Sequence, residues 1–200
     1  MTQCIQDERP QVDSGEVHSF QCNEMEGRCV VVVIPGRSEY LTLCEVEVYV
    51  DGLSEPVVNV VVKGVATQSS VYGDGQANNV IDGNRESNYH KISCTHTEQE
   101  TNPWWRVDLL DLFRVTAVSI TNRDVVPERL DGAEIRIGNS LENNGINNPR
   151  CDVISHIPAG ETNTFQCNEM EGHYVVVVIP GQNKILPLCE VEVYGLPAEL

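Results

Sequence analysis

Four side chains with directional hydrogen-bonding groups could build one binding site if the fold brings them together. They are His96, Arg123 after 26 intervening residues, Asp124 directly beside it, and Arg129 after four more. Two guanidinium groups and an imidazole can hydrogen-bond a cluster of hydroxyls with charge-assisted strength, and the aspartate can orient and neutralise an arginine. Such a set suits a neutral sugar, whose hydroxyls point in fixed directions. The alternative is a surface histidine and a solvated arginine pair.

Oxygen-bearing side chains are also concentrated in one turn, which contains Asn79, Asp82 and Asn84. Gly83 permits a sharp bend there because it lacks a Cβ atom. Calcium takes roughly six to eight oxygen ligands from carboxylates and carbonyls, so this turn is a candidate calcium loop. Turns of this composition are common without a metal, and by itself the turn is weak evidence. The cysteines and histidines do not have the clustered spacing of a zinc site.

The composition narrows the classes of partner. The chain has 200 residues, with 13 Lys and Arg against 30 Asp and Glu, and a formal net charge of -17. Nucleic acid and anionic membranes would be repelled, so neither is expected as the main partner. No apolar run approaches the roughly 20 residues of a membrane span, and we expect no membrane insertion. Eight cysteines predict disulfides and an oxidising compartment.

A stretch near the N-terminus repeats the C-terminal part of the chain. Residues 20–49 match residues 165–194 at 23 of 30 positions, with a constant offset of 145 residues. We therefore expect residues 1–50 to be the C-terminal third of one domain, 51–55 a linker, 56–195 a complete domain and 196–200 a tail. The alternative is a short duplicated hairpin. Because no basic and apolar leader follows Met1, we expect a secretion signal upstream, or a chain that begins inside a longer protein.

The rest of the pattern is typical of short strands. Segments rich in β-branched and aromatic residues occur at 57–62, 105–109, 115–121, 133–137, 174–179 and 190–194, separated by turn-forming residues. Residues 190–194 alternate between polar and apolar, which predicts one face in water. A short helical turn is expected at 79–82. The predicted fold is an all-β jelly-roll sandwich or barrel.

Residues 59–195 resemble the F-type lectins (fucolectins), the fucose-binding agglutinins of eel and other fish. The resemblance is carried by NVVVKGVATQSS, NVIDGNRESNYH, SCTH, NPWWRVDLLDL, ITNRDVVPERLDGAEIRIGNSL and the segment from Cys151 to Glu190. It implies an eight-stranded jelly roll of the galactose-binding-domain type. It also implies a secreted, calcium-containing, non-enzymatic protein that binds terminal L-fucose on glycans in innate immune recognition.

The resemblance also implies which residues bind fucose. The family pattern is a histidine, 26 residues, Arg-x-Asp, four residues, then Arg or Lys, with adjacent cysteines after the aspartate. Here one residue is missing between arginine and aspartate, and Val125 and Val126 replace the cysteines, where they would contact the sugar ring. Tyr89, with Tyr72 as a second candidate, would receive the methyl group that distinguishes fucose from galactose. The expected fucose-binding set is His96, Arg123, Asp124, Arg129, Tyr89, Val125 and Val126.

A calcium site and two disulfides follow from the same resemblance. The implied Ca²⁺ ligands are Asn79, Asp82, Asn84, Ser93, Cys189 and Glu190. The metal would be structural, tying the loop that leads to His96 onto the C-terminal strand. The implied disulfides are Cys94–Cys189 and Cys151–Cys167, with Cys4–Cys22 as the N-terminal counterpart of the second. Cys29 and Cys44 are then left to pair with each other or with another chain.

Three other functions compete with the fucose-binding lectin. A glycan hydrolase needs two carboxylates flanking the scissile bond, and no spacing singles out such a pair. A discoidin-like adhesion or phospholipid module would predict basic rims, whereas residues 56–195 carry 10 basic and 18 acidic side chains. A degenerate lectin paralogue, which keeps the fold and calcium but has lost fucose, is the serious alternative because of the shortened loop. Fucosylated glycans are the expected partners, and a homo-oligomer would be needed to cross-link them.

Overall fold

The structure, a computed structural model, describes residues 30–34, 40–43, 46 and 58–198. The chain divides into two units, Met1–Pro56 and Val57–Leu200. In the first unit the valines at 30–33 are exposed. The predicted linker, the Cys4–Cys22 disulfide and both Cys29 and Cys44 lie outside the described residues, and the predicted partial domain lies mostly outside them.

Short 3-10 helices and nine strands make up the second unit within residues 58–198. Strands β1 to β9 span Val58–Asn59, Val65–Gln68, Thr95–His96, Trp104–Thr121, Glu134–Gly138, Arg150–Val153, Thr162–Val178, Pro187–Leu188 and Glu190–Pro197. The 3-10 helices span Val60–Lys63, Ala77–Val80, Tyr89–Lys91, Pro127–Leu130 and Glu142–Gly145. Of the helices in the described residues, none has the length and apolarity to cross a membrane. The predicted all-β fold class is confirmed.

The strands are antiparallel and form two sheets. The larger sheet has the order β1-β9-β4-β7-β5-β6 with β2 also on β4, and the smaller sheet pairs β3 with β8. The long strand β4 lies inside the larger sheet and pairs with two strands in turn along one side: residues 105–108 pair with β2 and residues 113–121 pair with β9, while β7 pairs with both parts along the other side. The register shifts between these parts, where Leu110 has a φ of 70°. The two segments predicted at 105–109 and 115–121 are therefore one irregular strand.

The core lies on the face that the long strands share. Trp105 is fully buried, and its indole Nε1 donates to the carbonyl of Ala77 at 2.9 Å. On β9 the valines at 191 and 193 are buried, while Glu192 and Tyr194 are partly exposed, as the alternation predicts. Glu190 departs from that pattern because it is completely buried.

Two predicted elements have different bounds. Within the described part of the segment predicted as a strand at 57–62, residues 58–62 are extended only at Val58–Asn59, because the Asn59 side chain accepts hydrogen bonds from the amides of Val61 and Val193 and begins a 3-10 helix there. The predicted helical turn at 79–82 begins earlier, as the 3-10 helix Ala77–Val80. Strand β7 begins 12 residues before the predicted 174, at Thr162.

Candidate functional site

His96 ends the two-residue strand β3, where main-chain hydrogen bonds fix it on both sides. Its amide donates to the carbonyl of Gly75 at 3.1 Å, and its carbonyl accepts from the amide of Tyr72 at 2.8 Å. The ring Nδ1 lies 2.8 Å from the carbonyl oxygen of Thr97. Since a carbonyl only accepts, Nδ1 carries the proton and Nε2 has the free lone pair.

Both predicted arginines approach this histidine. Arg129 lies in the 3-10 helix Pro127–Leu130, and its Nη1 is 3.4 Å from Nε2 of His96. Arg123 follows β4, and its guanidinium carbon lies 4.9 Å from the ring centroid of Tyr89. The Nε of Arg123 is buried and has no hydrogen-bond partner among the described residues. The structure therefore brings His96, Arg123 and Arg129 together, and one buried donor there is unused.

The protonation of His96 follows from these surroundings. Burial lowers the pKa of the imidazole below its ordinary value of 6.5, and the positive charges of Arg123 and Arg129 lower it further, against the opposite effect of the hydrogen bond to Thr97. The imidazole is thus neutral at pH 7. It offers an acceptor at Nε2 between two donor groups, an arrangement that matches a hydroxyl group, which both donates and accepts.

Two tyrosines border the histidine. The ring centroids of Tyr72 and Tyr89 lie 5.0 Å and 5.4 Å from that of His96, and the hydroxyl of Tyr89 donates to the carbonyl of Tyr72 at 2.9 Å. Arg123 covers one face of Tyr89, while Tyr72 is 51% exposed. The aromatic side chains that are expected to contact an apolar group of a ligand therefore lie beside the polar side chains of the site.

The shortened loop after β4 is held by a residue that sequence reasoning missed. The buried amide of Asn122 donates to the carbonyls of Pro127 at 3.0 Å and Ile157 at 2.7 Å. Its Oδ1 accepts from the main-chain amide of Arg123 at 2.8 Å. Asn122 therefore closes the loop across its ends and fixes the start of Arg123. No pattern in the sequence marks this role, because the partners of the Asn122 amide are main-chain carbonyls of other segments.

The other predicted sugar-binding residues of this loop, Asp124, Val125 and Val126, form fewer interactions than expected. Val125 and Val126 are exposed, and Val126 has a left-handed φ of 54°, which is unusual for a β-branched residue. The carboxylate of Asp124 forms no ion pair with an arginine in residues 58–198. The expectation that Asp124 pairs with Arg123 or Arg129 is thus not met. The main-chain amide of Asp124 donates to the carbonyl of Ser87 at 3.1 Å.

The candidate calcium residues gather around the start of β9. Oε1 of Glu190 accepts from the amide of Gly83 at 2.9 Å, and Oδ1 of Asp82 accepts from the amide of Asn84 at 2.9 Å. Ser93 is buried and donates to the carbonyl of Asn88, while the side-chain amide of Asn79 donates to the carbonyls of Asp74 and Cys94. The Asn79 carbonyl, rather than its amide, is the group the resemblance assigns to the metal.

Glu190 provides the test of whether a cation fits. Its Oε2 is buried and has no hydrogen-bond partner among the residues described. Burial raises the pKa of this carboxyl to about 7, against the hydrogen bond from Gly83, and the nearby Asp82 and Glu192 raise it further. A cation would satisfy the orphaned oxygen and offset the repulsion. In the described part of the chain no three His, Cys, Asp or Glu side chains cluster as a metal site, so main-chain carbonyls must complete the set.

Two disulfides brace these loops. Cys94 is joined to Cys189, which links the residue before β3 to the residue between β8 and β9. Cys151 is joined to Cys167, which links β6 to β7. The first disulfide therefore holds the His96 strand against the strand that carries Glu190.

Comparisons with known proteins identify the family of this chain. Residues 79–177 match the NedA-like, galactose-binding domain family. Over 145 residues, 69% of this chain and 80% of the relative, the chain is 56% identical to Fucolectin-4 of Anguilla japonica. A fucolectin from striped bass (Morone saxatilis) serum has a TM-score of 0.70 and 55% identity, covering 70% of this chain and 48% of that one. A fucose-binding module of Streptococcus pneumoniae has a TM-score of 0.59 and 30% identity, covering 69% of this chain and 95% of the module. The chain belongs to the fucolectin, or F-type lectin, family of non-enzymatic carbohydrate-binding proteins.

Proposed function

We propose that this chain binds terminal L-fucose on glycans at the group formed by His96, Arg123 and Arg129. The observation that carries the proposal is the approach of Arg129 Nη1 to Nε2 of His96 at 3.4 Å, with the guanidinium of Arg123 next to them over the ring of Tyr89. Two guanidiniums and a neutral imidazole in one place provide the donors and the acceptor that a cluster of sugar hydroxyls requires. The names of the eel and striped bass relatives and of the bacterial module support fucose as that ligand.

Each residue has a distinct role in this proposal. Nε2 of His96 accepts a hydrogen bond from a sugar hydroxyl, and the two guanidiniums donate to hydroxyl and ring oxygens. Tyr72 and Tyr89 contact the methyl group of fucose. Val125 and Val126, exposed in the neighbouring loop, contact the apolar face of the ring.

Calcium is the second part of the proposal. The residues that would hold it are Asn79, Asp82, Asn84, Ser93, Cys189 and Glu190, and the metal would supply positive charge for structural stabilisation. Support comes from the orphaned Oε2 of Glu190 and from the position of Asp82 close enough to raise its pKa. Without the metal, these residues can hold the loop only through main-chain hydrogen bonds such as Gly83 to Glu190.

The proposed setting is extracellular, where the protein recognises fucosylated glycans in innate immunity. The disulfides Cys94–Cys189 and Cys151–Cys167 support this setting, because such bonds persist in oxidising compartments. With one proposed site in residues 58–198, cross-linking of glycans would require a homo-oligomer.

Calorimetry with L-fucose and L-galactose, each in calcium and in EGTA, tests the proposal. We expect saturable binding of L-fucose and weaker binding of L-galactose, which differs from it only by a hydroxymethyl group in place of the methyl group at C5. Arg150→Ala is a suitable control, since Arg150 is exposed and pairs only with Glu134 among the ion pairs of the described residues. No L-fucose binding at millimolar sugar, with calcium present and the fold intact, would favour the degenerate paralogue instead.

A further inference from the structure

The side-chain amide of Gln68 lies at the base of the turn that contacts His96. Its nitrogen is 2.7 Å from the carbonyl oxygen of Ser70, 2.9 Å from that of Gly75 and 3.3 Å from that of His96. All three partners are carbonyl oxygens, which only accept hydrogen bonds, so the amide must direct its NH₂ group towards them. One end of a single side chain therefore binds three points of the main chain.

The turn at residues 69–76 is tightly docked on His96. In addition to the two main-chain hydrogen bonds with Tyr72 and Gly75, a Cβ atom at Gly75 would lie 2.5 Å from the His96 nitrogen. There is no space for the turn to move closer, and the Gln68 amide opposes its moving away. The placement of the Tyr72 ring beside the imidazole follows from the same contacts.

A second anchor holds the other side of the turn. The hydroxyls of Ser69 and Ser70 both donate to Oε1 of Glu100, at 2.6 Å and 2.5 Å. The amide of Trp104 donates to the Ser69 hydroxyl at 3.1 Å. Glu100 thus fixes the start of the turn to the segment before β4, and Gln68 fixes its end to β3.

We propose that Gln68 is a positioning residue of the sugar site. Its amide holds the 69–76 turn against His96, so that Nε2 of the imidazole and the ring of Tyr72 are presented together to the ligand. That the ligand is a sugar rests on the proposed function. The effect of Gln68 on the position of His96 does not depend on which ligand binds. A binding site needs its contacting groups held within a fraction of an ångström, which a two-residue strand does not achieve by itself.

Two substitutions at Gln68 and one matched control test this role. Gln68→Glu is isosteric and places a carboxylate against three carbonyl oxygens, and Gln68→Met keeps a similar volume without the hydrogen bonds. Asn148→Asp is the control, because the buried Asn148 amide likewise ties a turn, through Ser140, in the loop between β5 and β6. The readouts are L-fucose affinity by calorimetry, the ¹⁵N resonances of the His96 ring by NMR, and thermal unfolding.

We expect both Gln68 variants to weaken L-fucose binding by about tenfold, the factor that one or two lost hydrogen bonds supply, and to shift the His96 ring resonances. Asn148→Asp should lower thermal stability while leaving affinity and His96 resonances unchanged. If Gln68→Glu does not fold, Gln68→Met decides the matter. Folded Gln68 variants with unchanged affinity and unchanged His96 resonances would overturn the proposal. If the wild type itself binds no fucose, the proposed function fails, and the His96 resonances still decide the role of Gln68.

Discussion

The main-chain carbonyl of Ser87 accepts a hydrogen bond from the amide of Asp124 at 3.1 Å. Asp124 directly follows Arg123, whereas Ser87 belongs to the loop between the candidate calcium turn and β3. The same carbonyl oxygen lies 3.6 Å from Sγ of Cys94 and 3.4 Å from Sγ of Cys189. The loop that carries Arg123 and Asp124, the segment that follows the candidate calcium turn and the Cys94–Cys189 disulfide therefore all come together at the carbonyl oxygen of Ser87.

This meeting point predicts that calcium and fucose bind cooperatively. Calcium bound at the candidate turn should order residues 79–94, including Ser87. Because Ser87 is hydrogen-bonded to Asp124, the start of the loop that carries Arg123 should be ordered as well. We expect removal of calcium to weaken L-fucose binding by about tenfold, within the usual range of coupling between sites, and fucose to raise calcium affinity by the same factor. Calorimetric titration of each ligand with and without the other measures both effects. Equal fucose affinity in calcium and in EGTA would show that the loops are not coupled.

The neutral state of His96 predicts how fucose binding depends on pH. Because its pKa is lowered below the ordinary 6.5 in the folded protein, the imidazole keeps its Nε2 acceptor between pH 7 and pH 8, and affinity should change little there. Affinity should fall at lower pH, as the ring gains a proton. The unfolded state binds that proton more readily, so this group's contribution to stability is full above the unfolded pKa of about 6.5 and is lost as pH falls through the folded pKa.

His96→Gln is the appropriate comparison, because glutamine keeps a hydrogen-bond acceptor that does not titrate. Its fucose affinity, measured from pH 8 to pH 5, should be weaker but free of this pH dependence. A wild-type affinity that rises as pH falls would mean that the imidazolium is the binding form.

Glu190 predicts an opposite dependence in calcium-free protein. Its folded pKa of about 7 lies above the ordinary 4.5, so the folded state binds the extra proton between these values. Stability from this group is therefore present at low pH and is lost as pH rises through about 7. In EGTA, we expect Glu190→Gln to be more stable than the wild type at pH 8, with the difference shrinking towards pH 5.

Thermal unfolding across that pH range provides the measurement. Added calcium should stabilise the wild type more than Glu190→Gln, because the variant keeps only one of the two proposed carboxylate ligands, that of Asp82. Glu134→Gln is a control, since Glu134 is a carboxylate paired with Arg136 and Arg150 away from the loop. A wild type that is more stable than Glu190→Gln at pH 8 in EGTA would contradict the assignment of a buried carboxylate whose Oε2 has no partner among the described residues.

The positions of the strands could be predicted from the sequence more accurately than their lengths. β-Branched runs marked the buried halves of β4 and β7, because alternating apolar residues must face the core. Residues 165–172 lie outside the predicted strands, yet they belong to β7, and residues 165–166 and 170–172 pair with β4. Such pairing depends on the partner strand, which local composition does not encode.

The site residues likewise fall into those that could be predicted from the sequence and those that only the structure reveals. Spacing and resemblance identified His96, Arg123 and Arg129, which the structure brings together. Gln68 and Asn122 escaped notice because they act on main-chain carbonyls of distant segments. Those carbonyls are present at every residue, so no pattern in the sequence distinguishes the ones that are used.

The shortened loop gives a prediction about the two arginines separately. Arg129 lies in a short helix in which the next residue, Leu130, is fully buried. The main-chain amide of Arg123 is held by a hydrogen bond to the side chain of Asn122. The main chain is therefore fixed at both arginines, although the loop is one residue shorter than in the family pattern. We expect Arg123→Ala and Arg129→Ala each to cost about 1.5–3 kcal/mol in fucose affinity, the usual range for hydrogen bonds to charged groups. Arg123→Lys should not restore binding, because an ammonium group cannot both lie flat on Tyr89 and direct several fixed donors at the sugar. Calorimetry on these variants beside Arg150→Ala decides the point. Full affinity in Arg123→Lys would show that Arg123 supplies only charge, and an unchanged affinity in Arg123→Ala would place the site on Arg129 and His96 alone.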